Sequence, residues 1–346
     1  MDIEKFLERA TALPGEPGYE AGVGGYLAEQ FAPLADEVTV DPLQNVIARV
    51  GKGGPRVLIC AHQDEIGLVV TRIEEDGCLR VTRNGGVDPR ILPGMEVAVQ
   101  AKGGPIYGVI GAKPPHLLTE KDREKALKIT DLYVDIGYPA EKARELVRVG
   151  DMVVMLAKPI QLADGAMASK TMDDRASVAA MLVAAEILKN HGTKVEALFV
   201  STAQEEVGSG GALVAAQALK PDAAIVIDVT HGEGPGTGKW EAYPLDRPTI
   251  GHGPNVHPAL EKVARDVAKE NGVQYSLEVC SNASGTDAES TQVAAGGVPT
   301  ILFSIPLKYM HTTVEVLRIK TIRETGRLIA LFLEELSRRW EGFEWY

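Results

Sequence analysis

The stretch "VEALFVSTAQEEVGSGGALVAAQALKPDAAIVIDV" at residues 195–229 decides the fold class of this chain. It begins with a short apolar run, continues through a glycine-rich turn into a helical pattern, and ends in a second apolar run. Two buried strands joined by a helix form the crossover unit of a parallel sheet. The stretch therefore predicts an α/β fold.

The alternation of helices and strands continues on both sides of this stretch. Helical patterns fall at residues 173–190, 257–272 and 322–340, and strand patterns at 37–50, 55–62 and 300–307. Strands that alternate with helices favour a sheet with helices on both faces. We expect a mainly parallel sheet flanked by helices.

Residues 67–159 have a different character. Short β-like pieces follow one another there with Gly and Pro between them, and only "AEKARELVRV" at 140–149 has helical spacing. The sequence therefore predicts two domains. One is the α/β domain, formed by residues 1–66 plus 160–346, and the other is an inserted, β-barrel-like domain at 67–159.

Composition excludes several classes of function. A formal charge of −12 repels phosphate backbones and anionic lipids, so neither nucleic acid nor a membrane is an expected partner. No apolar run approaches the roughly 20 residues that span a bilayer, and the first residues lack the pattern of a secretion signal. We expect a cytoplasmic protein. Three scattered cysteines are too few for a disulfide framework or a cysteine-based zinc site.

Polar side chains that can bind metal follow the predicted strands at their carboxyl ends. In an open α/β sheet these ends meet at one crevice, so the side chains should gather there. Two adjacent aspartates, Asp173 and Asp174, open the helix at 173–190. One of them is expected to cap the helix while the other faces the crevice. The candidates are His62, Asp64, Asp173, Glu205, Glu206, Asp228 and His311.

Taken singly, these residues have ordinary explanations. A lone histidine after a strand is more often a hydrogen-bonded core or surface residue, Asp228 could begin a turn, and adjacent glutamates are usually solvated near a helix start. Histidines and carboxylates together, with no cysteine, instead suit a divalent metal such as zinc, cobalt or manganese. Because these residues occur together at the predicted strand ends, the sequence predicts a metal site.

The ordered motifs "AHQDEIG", "MDD", "QEEVGSGGA", "IDV" and "YMHTTVEV" resemble those of the tetrahedral aminopeptidases. These are dinuclear metallopeptidases, also labelled glutamyl aminopeptidases or endoglucanase M. The resemblance covers essentially the whole chain. It implies a phosphorylase/hydrolase-like zinc peptidase fold, with the insertion at 67–159 acting as a β-rich dimerisation domain.

The resemblance also implies a role for each motif residue. Asp173 would bridge two divalent ions, with His62 and Asp228 completing one metal site and Glu206 and His311 the other. Asp64 would stand behind His62, since residues two apart in an extended segment point the same way. Glu205 would remain uncoordinated and act as the general base that takes a proton from a metal-activated water.

Substrate and assembly follow from the same resemblance. Short peptides are the implied substrates, and dimers or twelve-subunit tetrahedral particles are the implied assemblies. The turn "GHGP" has His252 where relatives often carry lysine, and His252 and Gly253 are candidate substrate-binding residues. We expect a mild preference for a neutral or hydrophobic N-terminal residue. Asp287, in "ASGTDAES", is expected to be structural.

Two other functions remain open from the residues alone. A cellulase-type, endo-acting glycoside hydrolase needs two opposed carboxylates, which Glu205 and Asp228 could supply. That reading leaves the histidines and Asp173 unexplained, and an aromatic content of 5% offers few platforms for sugar rings. A metal-bound, non-catalytic scaffold would explain the ligands but not the additional carboxylate of Glu205.

Overall fold

The computed structural model describes residues 1–120, 124–238 and 241–345. The helices in these ranges are α1 (Ile3–Ala10), α2 (Ala21–Phe31), α3 (Ala140–Leu146), α4 (Met172–His191), α5 (Gly210–Leu219), α6 (Pro258–Glu270), α7 (Ala288–Val293) and α8 (Ile319–Arg339). The strands are β1 (Glu37–Val40), β2 (Val46–Val50), β3 (Arg56–His62), β4 (Gly67–Ile73), β5 (Leu79–Asn84), β6 (Glu96–Ala101), β7 (Gly104–Ala112), β8 (Leu132–Asp135), β9 (Met152–Met155), β10 (Ile160–Gln161), β11 (Ala166–Ser169), β12 (Glu196–Thr202), β13 (Ala223–His231), β14 (Thr249–His252), β15 (Ser276–Val279), β16 (Thr300–Leu307) and β17 (Glu315–Arg318).

A large mixed sheet forms the centre of the fold. Its strand order is β1-β2-β12-β3-β13-β16-β14-β15. The four central strands, β12, β3, β13 and β16, are parallel to one another. The pairs β1–β2, β2–β12 and β14–β16 are antiparallel. The predicted mainly parallel sheet flanked by helices is confirmed, and its central strands end at one edge.

The central strands and α4 form the main hydrophobic core. Almost every residue of β3, β13 and β16 is buried, as the continuous apolar runs in the sequence predicted. Helix α4 is buried over most of its length and packs against both α8 and β3. Each large apolar side chain so buried contributes about 1.5–3 kcal/mol. This core holds the strand ends rigidly in place.

Six antiparallel strands close into a separate barrel. Their order is β4-β5-β8-β7-β6-β9, and the strands run from Gly67 to Met155. The barrel has its own apolar core, which includes Leu68, Val97 and Val134. The barrel-like character expected for the insertion is therefore present. The exact division of the chain into two domains at 67–159 stays a prediction.

Two features of the β-structure differ from the expectation. Residues 37–50 form the hairpin β1–β2 rather than one strand, because Asp41 Oδ1 accepts hydrogen bonds from the backbone N–H groups of Leu43 and Asn45 and turns the chain. A small antiparallel sheet of β10, β11 and β17 also forms beside the core.

In the described parts of the chain, no helix has both the length and the apolar character needed to cross a bilayer.

Candidate metal centre

The side chains that follow the central strands meet in one cavity of about 630 Å³. Strand β3 ends at His62, β13 contains Asp228, and β12 leads into a single 3-10 turn at Glu205–Val207. The five predicted metal ligands and the predicted base all line this cavity: His62, Asp173, Glu205, Glu206, Asp228 and His311. The gathering follows from the topology, since neighbouring parallel strands end at the same edge of the sheet.

Asp173 lies between two histidines. Its Oδ1 is 3.0 Å from Nε2 of His62, and its Oδ2 is 3.3 Å from Nε2 of His311. Glu206 Oε1 lies 3.5 Å from the same nitrogen of His311, and Glu205 Oε2 lies 4.0 Å from Nε2 of His62. The two glutamates therefore face different histidines, so their side chains have different surroundings.

The cavity contains two groups of side chains with the spacing of a metal site. One group is His62, Asp173 and Glu206, and the other is His62, Asp174 and Asp228; within each group the ligand atoms lie within 4.8 Å of one another. The sequence predicts only that one of Asp173 and Asp174 caps α4. The residue at the N-cap position is Thr171, and its side chain makes no capping hydrogen bond. Both aspartates instead belong to these groups.

The electrostatics of the cavity favour a bound cation. Burial raises the pKa of Glu205 to about 7 and that of Glu206 to about 8, and it raises the pKa of Asp228 well above its usual range. No lysine or arginine is found among the described residues that line the cavity. Several carboxylates removed from water with no lysine or arginine beside them are costly. This set of nitrogen and oxygen donors therefore fits a divalent metal.

Asp64 connects the first motif to the glutamate turn. Its Oδ1 and Oδ2 accept hydrogen bonds from the backbone N–H groups of Glu205 and Glu206, both at 3.1 Å. Its Oδ1 is also 3.5 Å from Nδ1 of His62. The sequence predicted the place behind His62 but not the bonds to the turn. One carboxylate thus holds the backbone of both glutamates and lies beside Nδ1 of His62.

Glu315 is a buried carboxylate that bonds to the backbone of two predicted ligands, and the sequence did not identify it. It begins β17, is only 2% exposed, and accepts backbone hydrogen bonds from His311 at 2.8 Å and from Asp173 at 3.1 Å. His311 has a left-handed φ of 60°, a conformation that costs about 1–3 kcal/mol and needs support from its surroundings. The available signal was an acidic residue within the last motif, four positions after the histidine.

The remaining candidates lie outside the metal-binding groups. Neither His252 nor Gly253 is among the described residues that line the cavity. Nδ1 of His252 lies 2.8 Å from Glu261 Oε2 on α6, which directs the ring toward that helix. Asp287 is buried and accepts a hydrogen bond from the Thr202 hydroxyl at the end of β12.

Comparison with known proteins identifies the family. The model of the M42 glutamyl aminopeptidases matches residues 44–328, which is most of the chain. The chain belongs to the M42 glutamyl aminopeptidase family. It is 35% identical over 338 residues to the lysyl aminopeptidase of Pyrococcus furiosus, covering 96% of this chain and 97% of that protein.

Solved structures agree with the family assignment. An aminopeptidase from the archaeon Desulfurococcus kamchatkensis aligns with a TM-score of 0.89 and 33% identity, covering 96% of this chain and 94% of that one. The TET1 peptidase of Pyrococcus horikoshii, described as assembling into a tetrahedron or a large octahedral shell, aligns with a TM-score of 0.87 and 32% identity. That alignment covers 97% of this chain and all of the other. The M42 chain is therefore an aminopeptidase, and the glycoside hydrolase alternative is not favoured.

Proposed function

We propose that this M42 chain is a dinuclear, metal-dependent aminopeptidase that removes N-terminal residues from short peptides. The observation that supports it most strongly is the position of Asp173, whose two carboxylate oxygens face different histidines at 3.0 and 3.3 Å. A carboxylate placed in this way could be shared by two divalent ions. One site would use His62 and Asp228 with Asp173, and the other Glu206 and His311 with Asp173.

The donor set indicates which metals to expect. Imidazole and carboxylate ligands without sulfur suit zinc or cobalt, and manganese is also possible. When bound, two such ions would polarise the scissile carbonyl and lower the pKa of a water molecule toward neutrality. The residues of the chain then have to orient the peptide and move a proton.

Glu205 is the proposed proton carrier. Its carboxylate takes a proton from the attacking water as the new C–O bond forms at the scissile carbonyl. The same proton then passes to the departing amine as the C–N bond breaks, which returns Glu205 to its ionised form. Asp64 accepts a hydrogen bond from the backbone N–H of Glu205 and so holds the Glu205 carboxylate beside the cavity.

The outer part of the cavity favours a positively charged N-terminal residue. Glu278 and Glu289 line it in addition to the proposed metal ligands, and no lysine or arginine does so among the described residues. Thr249 donates to one oxygen of Glu278, and the Gly285 N–H donates to one oxygen of Glu289. This proposal differs from the mild preference for a neutral or hydrophobic N-terminal residue that the sequence suggested. A relative named for lysyl substrates supports the proposal.

A panel of aminoacyl substrates tests this preference. We expect lysyl or arginyl anilides to have a higher kcat/KM than leucyl or glutamyl anilides. Glu289→Gln should lower the ratio of lysyl to leucyl kcat/KM by about 10-fold, which corresponds to the loss of about 1.4 kcal/mol from one charged contact, while leaving the kcat/KM for leucyl substrates nearly unchanged. A wild-type preference for glutamyl anilides would contradict the proposal.

The proposed reaction is tested by metal removal and replacement. Protein freed of metal with a chelator should lose cleavage of aminoacyl anilides and regain it with zinc, cobalt or manganese, and it should bind two ions per chain. A soluble cellulose derivative serves as the parallel substrate. Metal-dependent release from cellulose alone would favour the glycoside hydrolase. Metal binding without cleavage of any substrate would favour the scaffold.

We also propose self-association and a cytoplasmic location. A tetrahedron is described for the TET1 relative and a dodecamer for another TET1 structure, which supports a tetrahedral dodecamer for this chain. Its building unit would be a dimer joined through the inserted barrel. A particle of that kind would admit only short peptides. The acidic charge of −12 makes nucleic acid and anionic membranes poor partners.

A further inference from the structure

The barrel contributes one residue to the wall of the metal cavity. Gly86, which follows β5, is the one cavity-lining residue among those described that lies within 67–159. The other residues of the lining come from the α/β part of the chain. The loop that contains Gly85 and Gly86 is therefore the place where the barrel touches the proposed metal centre.

Gly86 contacts a proposed metal ligand directly. Its backbone carbonyl oxygen lies 3.1 Å from Nδ1 of His311. A carbonyl can only accept a hydrogen bond, so this contact favours the tautomer with the proton on Nδ1. The lone pair on Nε2 then faces Asp173 and Glu206, at 3.3 and 3.5 Å. The second ring nitrogen of a metal-binding histidine is commonly held in this way.

The approach of the loop requires glycine. A Cβ on Gly86 would lie 2.6 Å from Nδ1 and 2.7 Å from Cε1 of the His311 ring. Gly85 has a φ of +84°, and a Cβ there would lie 2.9 Å from Ile66 Cγ2 and 3.4 Å from the Cβ of Glu206. Both glycines thus permit close contact with residues of the proposed second metal site.

The barrel core anchors this loop. The N–H of Val87 donates to the carbonyl of Gly85 at 3.0 Å, and the Val87 side chain is 1% exposed among the apolar residues of the barrel. The position of the Gly86 carbonyl therefore depends on the packing of Val87 in the barrel core.

We propose that Gly86 is a positioning residue for the second metal site, so that the barrel completes the metal centre by fixing the ring of His311. The inference rests on the proposed dinuclear function. With its proton held on Nδ1 by the Gly86 carbonyl, His311 would present Nε2 as a ligand of the second ion, together with Asp173 and Glu206. Removing this contact should weaken one of the two ions and leave the site of His62 and Asp228 intact.

Gly86→Ala tests the inference, with Gly103→Ala as the matched control. Gly103 lies in the β6–β7 turn of the same barrel, and a Cβ there meets nothing within 4 Å. We expect the ion of the Glu206 and His311 site to bind about 10–100-fold less tightly in Gly86→Ala, the usual effect of losing such a partner. Metal content after dialysis should fall toward one ion per chain. Gly103→Ala should keep two.

A measurement on the unchanged protein covers the case in which Gly86→Ala fails to fold. In metal-loaded protein labelled with ¹⁵N-histidine, the signals of His311, assigned by their loss in His311→Gln, should show a proton on Nδ1 and a metal on Nε2. Metal on Nδ1 would overturn the inference. So would wild-type affinity for both ions in folded Gly86→Ala. A wild-type protein that binds no divalent ion would instead overturn the proposed function on which the inference rests.

Discussion

At the scale of single residues, the adjacent Glu205 and Glu206 have different surroundings. The backbone N–H groups of both donate to Asp64, yet Glu205 extends toward His62 and Glu206 toward His311. A carboxylate near one histidine can remain free while its neighbour binds metal beside the other. The two residues should therefore fail in different ways when changed.

Glu205→Gln removes the proposed base but keeps the shape of the side chain. Hydrolysis of aminoacyl anilides should fall by about 10²–10⁴-fold, the usual contribution of a positioned general base, with metal content near that of wild type. Glu206→Gln should instead lose one ion, since it removes a charged ligand. Metal stoichiometry and turnover, measured side by side, separate the two. Loss of metal in Glu205→Gln, with activity restored by excess metal, would reverse the assignment.

Glu315 has a different kind of importance, because it acts on the backbone of two proposed ligands. In Glu315→Gln an NH₂ group replaces one of the two carboxylate oxygens. That NH₂ group then faces the backbone N–H of Asp173 or His311, and neither can accept a hydrogen bond from the other. We expect a loss of about 1–3 kcal/mol in unfolding free energy from the unsatisfied pair, together with weaker metal binding. Denaturant unfolding and metal content measure the two effects.

Glu334→Gln is the control for this prediction. Glu334 pairs with Arg338 on α8, and both side chains are about 60% exposed, so breaking this pair should change the stability by less than about 1 kcal/mol. If Glu315→Gln behaved like Glu334→Gln in both measurements, Glu315 would have no organising role at the site.

At the scale of secondary-structure elements, the contact of α4 with α8 depends on one glycine. A Cβ on Gly326 would lie 2.6 Å from the carbonyl oxygen of Ala180 and 2.7 Å from the Cβ of Val183, so the helices would have to separate. Gly326→Ala should cost about 1–3 kcal/mol of unfolding free energy.

Gly25→Ala is the matched change on an open helix face. Gly25 is exposed within α2, where a Cβ meets nothing within 4 Å, so alanine should add up to about 1 kcal/mol through helix propensity. Denaturant midpoints at equal protein concentration give both values. A stabilised Gly326→Ala would show that the two helices can separate without loss of packing.

The sequence predicted those elements whose pattern is local. Apolar runs gave β3, β13 and β16, and the polar residues at their ends indicated the crevice, because topology alone brings parallel strand ends together. Glu315 and Gly86 were missed because the decisive contact of each joins residues far apart in the chain. The Glu315 side chain accepts a hydrogen bond from the backbone N–H of Asp173, and the Gly86 carbonyl contacts the ring of His311. No pattern in a single sequence encodes such a pairing. His252 shows the reverse case, because only its place in a motif suggested the pocket, whereas its ring contacts Glu261.

At the scale of the whole molecule, the barrel has an apolar surface that the single chain leaves uncovered. Tyr107 and Val109 on β7 are 68% and 48% exposed, and residues two apart on a strand point to the same side. Exposed apolar side chains grouped on one face commonly mark a contact between proteins. This face is the candidate for the proposed dimer contact.

Charge on this face should separate the subunits. The double variant Tyr107→Lys, Val109→Lys places like charges opposite each other across a two-fold contact, so light scattering at micromolar concentration should show a smaller particle than for wild type. Val40→Lys, on the outer strand β1 and 56% exposed in wild type, is the control and should keep the wild-type mass. Cleavage of small aminoacyl anilides should persist in the double variant if each chain carries its whole metal centre. A wild-type monomer would remove the assembly proposal, and an unchanged mass for the double variant would place the contact on another face.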